Sequence, residues 1–271
     1  SFSNDGVAVI KFPHHDSYAY GVAVLPNGKI VAVGEVDHHS ISNTAIIRLN
    51  VDGRLDGRFG NNGEEELVSP DGIHGYDAPY RVVIQSDGRL VMAGWSEWDT
   101  TNSLYYTMVI RTSPSGKPDT TFSGDGFAYF KTDSDEYAYG LAMDGSKVVL
   151  AVHESTNNAG FRRLTSDGKH DPTFGDHGSA SFVLSHSWSA GDVAIADHHK
   201  IVSNSGSGNY TAIAARVNNN GTLDSGWAVG GEAVGAQSIS GRGIFVQPNG
   251  AVVAVGIQGG TTVVFERFTA T

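Results

Sequence analysis

Two short runs near the N-terminus carry side chains that bind metal ions. They are His14-His15-Asp16 and Asp37-His38-His39. Imidazole and carboxylate groups are ligands of Zn²⁺, and two neighbouring loops could supply three or four of them. Asp-Gly-x-x-Asp segments elsewhere resemble fragments of Ca²⁺ loops, although turn formation also accounts for them. The sequence thus offers a divalent-metal site, Zn²⁺ or Ca²⁺, and the alternative is a solvated loop that binds nothing.

Aromatic residues form a second group suited to ligand binding. One position of a repeated segment is occupied in turn by Tyr20, Tyr80, Tyr139, Gly191 and Arg242. Tyr rings stack on sugar rings, and Tyr and Arg side chains hydrogen-bond hydroxyl and carboxylate groups. Loops expected on the same face add Trp95, Trp98 and Trp188. We predict that these residues bind a ligand at the mouth of a central funnel; alternatively, the Tyr rings only fill space between repeats.

Acidic residues near the same positions are candidates for catalysis. They are Asp16, Asp77, Asp135, Glu136 and Asp192. A pair of carboxylates on either side of a bound sugar is what glycoside hydrolysis requires. The sequence contains no serine nucleophile elbow, phosphate loop or dinucleotide fingerprint. A hydrolase or lyase that uses these acids, with or without a His/Asp-bound metal, is therefore the alternative to a binding module.

An internal repeat must position these residues. A motif of an aromatic residue followed by Gly four residues later recurs at Phe2–Gly6, Phe59–Gly63, Phe122–Gly126, Phe174–Gly178 and Trp227–Gly231. After each copy come a strand, a variable loop, an apolar hairpin such as Gly21–Val36 around Asn27-Gly28, and a strand that ends in Arg. Four strands per repeat without helical periodicity predict an all-β fold, a five-bladed β-propeller with four antiparallel strands per blade.

The order of strands within the chain also predicts how the propeller closes. The chain ends after a third strand, 263–269, and begins with what would be a fourth, 7–12. We expect the N-terminal strand to complete the last blade, since this removes an open sheet edge. A single domain, 1–271, would then consist of repeats at approximately 1–57, 58–120, 121–172, 173–225 and 226–271.

The Arg that ends the third strand of each repeat has an expected partner. These residues are Arg48, Arg111, Arg163, Arg216 and Arg267. The linkers after the first four contain Asp56, Asp119, Asp171 and Asp224, and Arg pairs well with carboxylates. We predict ion pairs that tie each blade to the next, with Arg267 as the exception; the alternative is that the Arg residues bind anions.

The combined pattern resembles a known family. Phe-Gly-x-x-Gly, Leu-Pro-Asn-Gly-Lys-Ile, a strand ending in Arg and Asp-Gly-x-Leu-Asp are similar to the bacterial delta-60 repeat, and the resemblance covers essentially the whole chain. That family is a β-propeller domain of unknown function, similar in plan to NHL-type propellers. The resemblance implies a secreted or cell-surface protein, often in tandem arrays, and no established catalytic residues.

The amino-acid composition of the chain limits the kinds of partner that the protein can bind. The net charge is −11 and the 18 Lys and Arg residues form no cluster, which argues against nucleic acid. No segment has the length and apolarity for membrane insertion, and the lack of Cys excludes disulfides and thiol chemistry. The opening Ser1-Phe2, within a motif, suggests a mature or excised fragment.

We expect a monomeric, exported or cell-surface binding module that recognises a glycan or another surface ligand. Because the loops of the repeats differ most on the face rich in His and Trp, one composite site is expected there rather than five equal ones. The alternatives are the hydrolase or lyase and a structural spacer in a tandem array.

Overall fold

The computed structural model describes residues 2–12, 15–39, 41–70, 75–99, 104–154, 158–186, 188–205, 211–238 and 240–270. Within this part, nineteen strands form five antiparallel sheets. The chain divides into two compact units, Ser1–Asp135 and Glu136–Thr271. The single propeller domain expected for 1–271 stays a prediction.

The first unit contains two four-stranded sheets. The first sheet has the order β1 (Asp16–Val24), β2 (Ile30–Asp37), β3 (Ser42–Leu49) and β4 (Glu64–Leu67). The second has the order β5 (Asp77–Ile84), β6 (Leu90–Asp99), β7 (Leu104–Thr112) and β8 (Phe127–Phe130). Buried side chains from both sheets form one core, among them Val31, Ile46, Phe59, Met92 and Met108.

The second unit contains three sheets. The first comprises β9 (Glu136–Asp144), β10 (Lys147–Glu154), β11 (Ala159–Leu164) and β12 (Ser179–Phe182). The next comprises β13 (Ala190–Ala196), β14 (Lys200–Ser205), β15 (Thr211–Val217) and β16 (Glu232–Ser238). The last comprises β17 (Ser240–Val246), β18 (Val252–Gln258) and β19 (Thr262–Phe268).

The five sheets fit the five predicted blades, and four of them have the expected four strands. Residues 7–12, expected to be a strand, form none in the structure. The fifth sheet accordingly has three strands in the part of the chain that is described. Closure of the last blade by the N-terminal segment stays a prediction.

The first strand of each sheet is longer than the sequence predicts. In the first sheet the strand begins at Asp16 rather than Gly21, and Asp16 pairs with Asp37. The pairing register shifts between Ala19 and Gly21, so Tyr20 is the extra residue of a β-bulge. A bulge interrupts the two-residue alternation from which strands are recognised in sequence, and this explains the missed residues.

Each bulge requires a small residue on the facing strand in the two sheets of the first unit. A Cβ atom on Gly34 would lie 1.8 Å from the carbonyl oxygen of Tyr18, and one on Gly94 would lie 1.9 Å from that of Ala78. Both distances are far shorter than any contact between non-bonded atoms, so only Gly fits.

A buried charged cluster repeats at the end of the third strand. The Arg48 guanidinium lies 4.5 Å above the ring of Phe59, and its Nε donates to Asp56 Oδ2 at 2.7 Å. Lys29, from the start of the second strand, donates to the same oxygen at 2.7 Å. We call this group of an aromatic ring, an Arg, an Asp and a second cation the corner cluster.

Three further copies of the corner cluster confirm the predicted ion pairs. They consist of Phe122, Arg111, Asp119 and Arg89; Phe174, Arg163, Asp171 and Lys147; and Trp227, Arg216, Asp224 and Lys200. The Nε–Oδ2 distances are 2.6 to 2.8 Å. As predicted, Arg267 differs, since it is exposed and donates to Gln247 Oε1.

The corner cluster also reaches the next repeat. Arg48 Nη1 donates to the carbonyl oxygen of Pro114 at 2.6 Å, and Arg163 Nη1 donates to that of Asn219 at 2.6 Å. Arg216 Nη1 makes the same contact with Ala270 at 3.2 Å. The prediction that these Arg residues tie one repeat to the next is therefore confirmed within each unit.

The cations of the corner cluster change the acidity of its Asp. Burial alone would raise the pKa of Asp56, but hydrogen bonds from Lys29 and Arg48 outweigh it and lower the pKa below its usual value. The pKa values of Asp119, Asp171 and Asp224 are lowered by the same opposition of burial and charge-assisted hydrogen bonds.

We predict that Asp171→Asn destabilises the second unit by about 3 kcal/mol, because it leaves buried Arg163 without its counter-charge. Urea unfolding at pH 7 measures this change. Asp167→Asn is the matched control, since Asp167 lies in the same linker but pairs with Lys169 on the surface. Equal stability of the two variants would contradict a structural role for the corner cluster.

The lowered pKa values also predict an acid dependence. A carboxyl group whose pKa is lower in the folded state stabilises the fold above its unfolded pKa, about 3.9 for Asp, and loses that effect as the pH falls. The stability difference between the wild-type protein and Asp171→Asn should therefore be constant near neutral pH and shrink below about pH 4. Thermal melting of both proteins from pH 6 to 3 tests this; a difference that does not change with pH would refute it.

Candidate functional site

The loops predicted to share a face do lie at one end of each sheet in the first unit. Asp16 pairs with Asp37, and Asp77 pairs with Ser96, so the loops before the first strand and after the second strand meet there. The Ser42 amide also donates to the Gly75 carbonyl at 2.8 Å, which joins the ends of the two sheets. We call this end of the sheets the loop end.

The position predicted to line a ligand site is the bulge position in every sheet. The register shifts fall at Tyr20, Tyr80, Tyr139, Gly191 (together with Asp192) and Arg242. A bulged residue has no direct partner on the facing strand, and the local bend re-aims its side chain. The direction of the side chain at this position is therefore set by the bulge. It does not follow the regular alternation of side chains between the two faces of the sheet.

Two bulge tyrosines meet near the loop end of the first unit. The rings of Tyr20 and Tyr80 are 4.9 Å apart with an interplanar angle of 71°, an edge-to-face contact. The Tyr20 hydroxyl donates to Glu35 Oε1 at 2.6 Å, and Tyr18 pairs with Glu35 across the strands. Tyr18 and Tyr20 remain 52% and 39% exposed. We call Tyr18, Tyr20, Tyr80 and Glu35 the tyrosine rim.

Burial and hydrogen bonding alter both titrating groups at the centre of the rim. Burial and the hydrogen bond to Glu35 raise the pKa of Tyr20 well above its usual range, so its phenol stays a donor. Burial, together with the nearby charge of Asp37, raises the pKa of Glu35, while the bond from Tyr20 partly opposes this rise. The rim therefore presents a phenol donor, a half-buried carboxylate and exposed aromatic faces side by side.

A second aromatic group lies at the loop end of the second sheet. Trp95 and Tyr105 are 5.0 Å apart in an edge-to-face arrangement, and the Tyr105 amide donates to Asp135 Oδ1 at 3.1 Å. Burial raises the pKa of Tyr105, and the charges of Glu97 and Asp135 add to this rise. Trp98 was also expected here, but its side chain lies outside the described part of the structure.

In the second unit the bulge tyrosine belongs to an aromatic ladder. Tyr139 stacks with Tyr137 at 6.3 Å, and Tyr137 stacks with His153 at 6.3 Å, with interplanar angles of 24° and 26°. Burial lowers the pKa of His153 despite the opposing charge of Glu154, so the imidazole is neutral at pH 7. Its Nδ1 is buried and makes no hydrogen bond to the described residues.

Three predicted site residues are buried, which corrects their expected role. Trp188 is 1% exposed and packs in the core of the second unit, so it presents no face to a ligand. Asp77 and Glu136 are each 1% exposed, and both begin strands rather than lying in loops. Arg162 forms an ion pair with Glu136, which compensates its charge. Neither acid faces an open site.

The other predicted residues are accessible to different degrees. Asp16 and Arg242 are exposed, whereas Asp135 and Asp192 are half-buried. Asp192 Oδ1 accepts a hydrogen bond from the Val193 amide at 2.9 Å.

The histidines of the first repeat are partly occupied with one another. The rings of His15 and His38 lie 4.0 Å apart, and His38 Nε2 lies 2.6 Å from Glu66 Oε1. Asp37 Oδ1 accepts the His39 amide at 2.7 Å. Among the described residues, which leave out His14, no three or more His, Asp or Glu side chains are grouped to hold a metal ion. The metal site stays a prediction.

Sequence reasoning missed Glu35 and His153 as site residues. Both follow the residue that faces the bulge, and Trp95 occupies the same position in the second sheet. An alignment of the repeats on their bulges would have shown that this position carries a carboxylate, an indole and an imidazole in turn.

Solved structures resemble this chain in fold. A catalytically inactive virginiamycin B lyase from Staphylococcus aureus is 15% identical with a TM-score of 0.52, and the match covers 96% of this chain and 72% of that chain. The PQQ-bound aldose sugar dehydrogenase from Streptomyces coelicolor is 16% identical with a TM-score of 0.51, covering 90% and 75%. A protein of unknown function from Dyadobacter fermentans is 12% identical with a TM-score of 0.52, covering 97% and 82%. At these identities the likeness concerns the fold alone.

The described part of the chain has no helix long and apolar enough to span a membrane.

No curated protein matches the sequence. Residues 25–59 and 85–122 match the family described as "Domain of unknown function (DUF5122) beta-propeller". Each matched segment runs from the hairpin turn through the Arg-ended strand and the linker to the aromatic residue of the corner cluster. This match confirms the resemblance read from the repeats: the first two repeats carry the pattern of a β-propeller family of unknown function.

Proposed function

We propose that this protein is a binding module that recognises a glycan at the tyrosine rim. The observation that carries the proposal is the contact of Tyr20 with both Tyr80 and Glu35 at an exposed bulge. Exposed aromatic faces stack on the C–H faces of sugar rings, while a carboxylate and a phenol hydrogen-bond sugar hydroxyls. The rim supplies all three groups within one unit.

A single site fits the differences between repeats better than five equal sites. The residue that follows the one facing the bulge differs in each of the four sheets where it is described. It is Glu35, Trp95, His153 or Ile257. Only the first of these combines with a bulge tyrosine to give a hydroxyl–carboxylate hydrogen bond among the described residues. The glycan site is therefore placed at the first bulge, with Tyr80 contributed by the second.

The location and partners of the module belong to the same proposal. An exported or cell-surface position accords with the delta-60 resemblance, and a net charge of −11 disfavours nucleic acid as partner. We further propose that it acts as a monomer. The hydrolase or lyase alternative is weaker, since Asp77 and Glu136 are buried.

We predict that Tyr20→Ala and Tyr80→Ala each weaken glycan binding about tenfold or more, as expected for loss of a central aromatic contact. Isothermal titration calorimetry against a panel of oligosaccharides provides the measurement. Val24→Ala is the control, because Val24 is an exposed residue at the other end of the same strand.

Three results would count against this proposal. Saturation at five equivalent sites would exclude the single site. Equal affinity of the Tyr variants and the control would move the site away from the rim. If no glycan bound, the result would favour the alternative that this protein is a structural spacer in a tandem array.

A further inference from the structure

We propose that the tyrosine rim binds an ammonium group, so that its ligand is an amine-bearing molecule such as an aminosugar or a trimethylammonium compound. This inference rests on the proposed function, since it names the ligand class of the same site. It depends on the charge balance of the rim rather than on the stacking of sugar rings.

The tyrosine rim combines three aromatic rings with one carboxylate, which is a composition suited to binding a cation. Three tyrosines lie on or next to one carboxylate: Tyr18 pairs with Glu35 across the strands, Tyr20 bonds to it, and Tyr80 contacts Tyr20. A cation within about 6 Å of an aromatic ring centre is attracted by the negative face of the ring, and this attraction grows where water is partly excluded. The exposed parts of Tyr18 and Tyr20 leave room for such a cation.

The carboxylate of the rim has no cationic partner among the described residues. Glu35 is half-buried, and its hydrogen bonds come from the hydroxyls of Tyr20 and Ser42. No Lys, Arg or His of the described residues forms an ion pair with it. Taking a carboxylate partly out of water without a counter-charge is costly. A ligand cation would supply the missing charge.

The corner clusters hold four buried carboxylates with which Glu35 can be compared. Asp56 receives both Lys29 and Arg48, and Asp171 receives both Lys147 and Arg163. Each of these linker Asp residues thus has two cations, whereas the described residues give Glu35 hydroxyl donors alone. The difference between Glu35 and the linker carboxylates indicates a binding role for Glu35.

The neighbours of Glu35 favour an ammonium over a metal ion. A divalent metal needs several carboxylate, carbonyl or imidazole ligands, whereas the rim places phenols beside Glu35, and Asp37 adds one nearby carboxylate. The hydroxyl of Tyr20 is held in its protonated form, which is a poor metal ligand. An ammonium, by contrast, needs one counter-charge and aromatic faces, and the rim provides both.

The test compares four small probes by titration calorimetry at constant ionic strength: choline, glucosamine, N-acetylglucosamine and glucose. Choline carries the cation without a sugar, N-acetylglucosamine and glucose carry sugars without a cation, and glucosamine carries both. We expect glucosamine and choline to bind at least about tenfold more tightly than the two neutral sugars.

Two variants test the groups responsible. Glu35→Gln keeps an acceptor for the Tyr20 hydroxyl but removes the charge, and it should weaken choline and glucosamine binding about tenfold. Tyr80→Leu should weaken both as well. Asp133→Asn is the control, because it removes one exposed negative charge from the same unit without touching the rim. Circular dichroism checks that all variants fold.

The outcomes separate this inference from the proposed function. Equal binding of all three sugars, unchanged by Glu35→Gln, would overturn the ammonium site and leave the glycan site standing. If choline bound and none of the three sugars did, this result would support the ammonium site and refute the glycan site. Equal losses for Glu35→Gln and Asp133→Asn would show a general charge effect and overturn the inference, as would failure of choline and glucosamine to bind.

Discussion

The corner cluster is the interaction on which the rest of the first four repeats depends. A single guanidinium packs on an aromatic ring and pairs with the linker Asp, and the guanidinium groups of Arg48, Arg163 and Arg216 also bond to a carbonyl of the following repeat. It therefore joins four segments: the ends of two strands, the linker and the aromatic turn. Buried ion pairs often add little net stability, so their main contribution here is to fix one arrangement of these segments.

The position of the corner cluster explains why the opposite end of each sheet can vary. Its Arg pairs with the first residues of the second strand, at Val31, Val91, Val149 and Val202. The tyrosine rim lies at the other end of the same strands, beyond Gly34. Loops and side chains at that end can change without disturbing the cluster, which accords with the separation of scaffold and function in many folds.

Much of the fold could be predicted because the physical causes repeat. Five copies of one pattern gave the sheets, and the pairing of Arg48 with Asp56 followed from residue types and spacing. The site was predicted less well. Tyr20 and Tyr80 were identified, but Glu35 was not, because its proposed role rests on its partial burial and on the lack of a cation beside it among the described residues, and neither is visible in one sequence. Trp188 lies in a loop as predicted, but its side chain packs in the core instead of facing a ligand, since an indole suits both environments.

The bulge at Tyr20 has a consequence for how such a repeat can evolve. Its residue has no direct partner on the facing strand, whereas the facing Gly34 accepts no side chain at all. Mutational tolerance is thus very uneven across neighbouring positions, with one residue almost free to change and another fixed. The five repeats carry Tyr, Gly and Arg at the bulge position. A lineage that duplicates this repeat acquires new surface chemistry by single substitutions, without having to find a new way to fold.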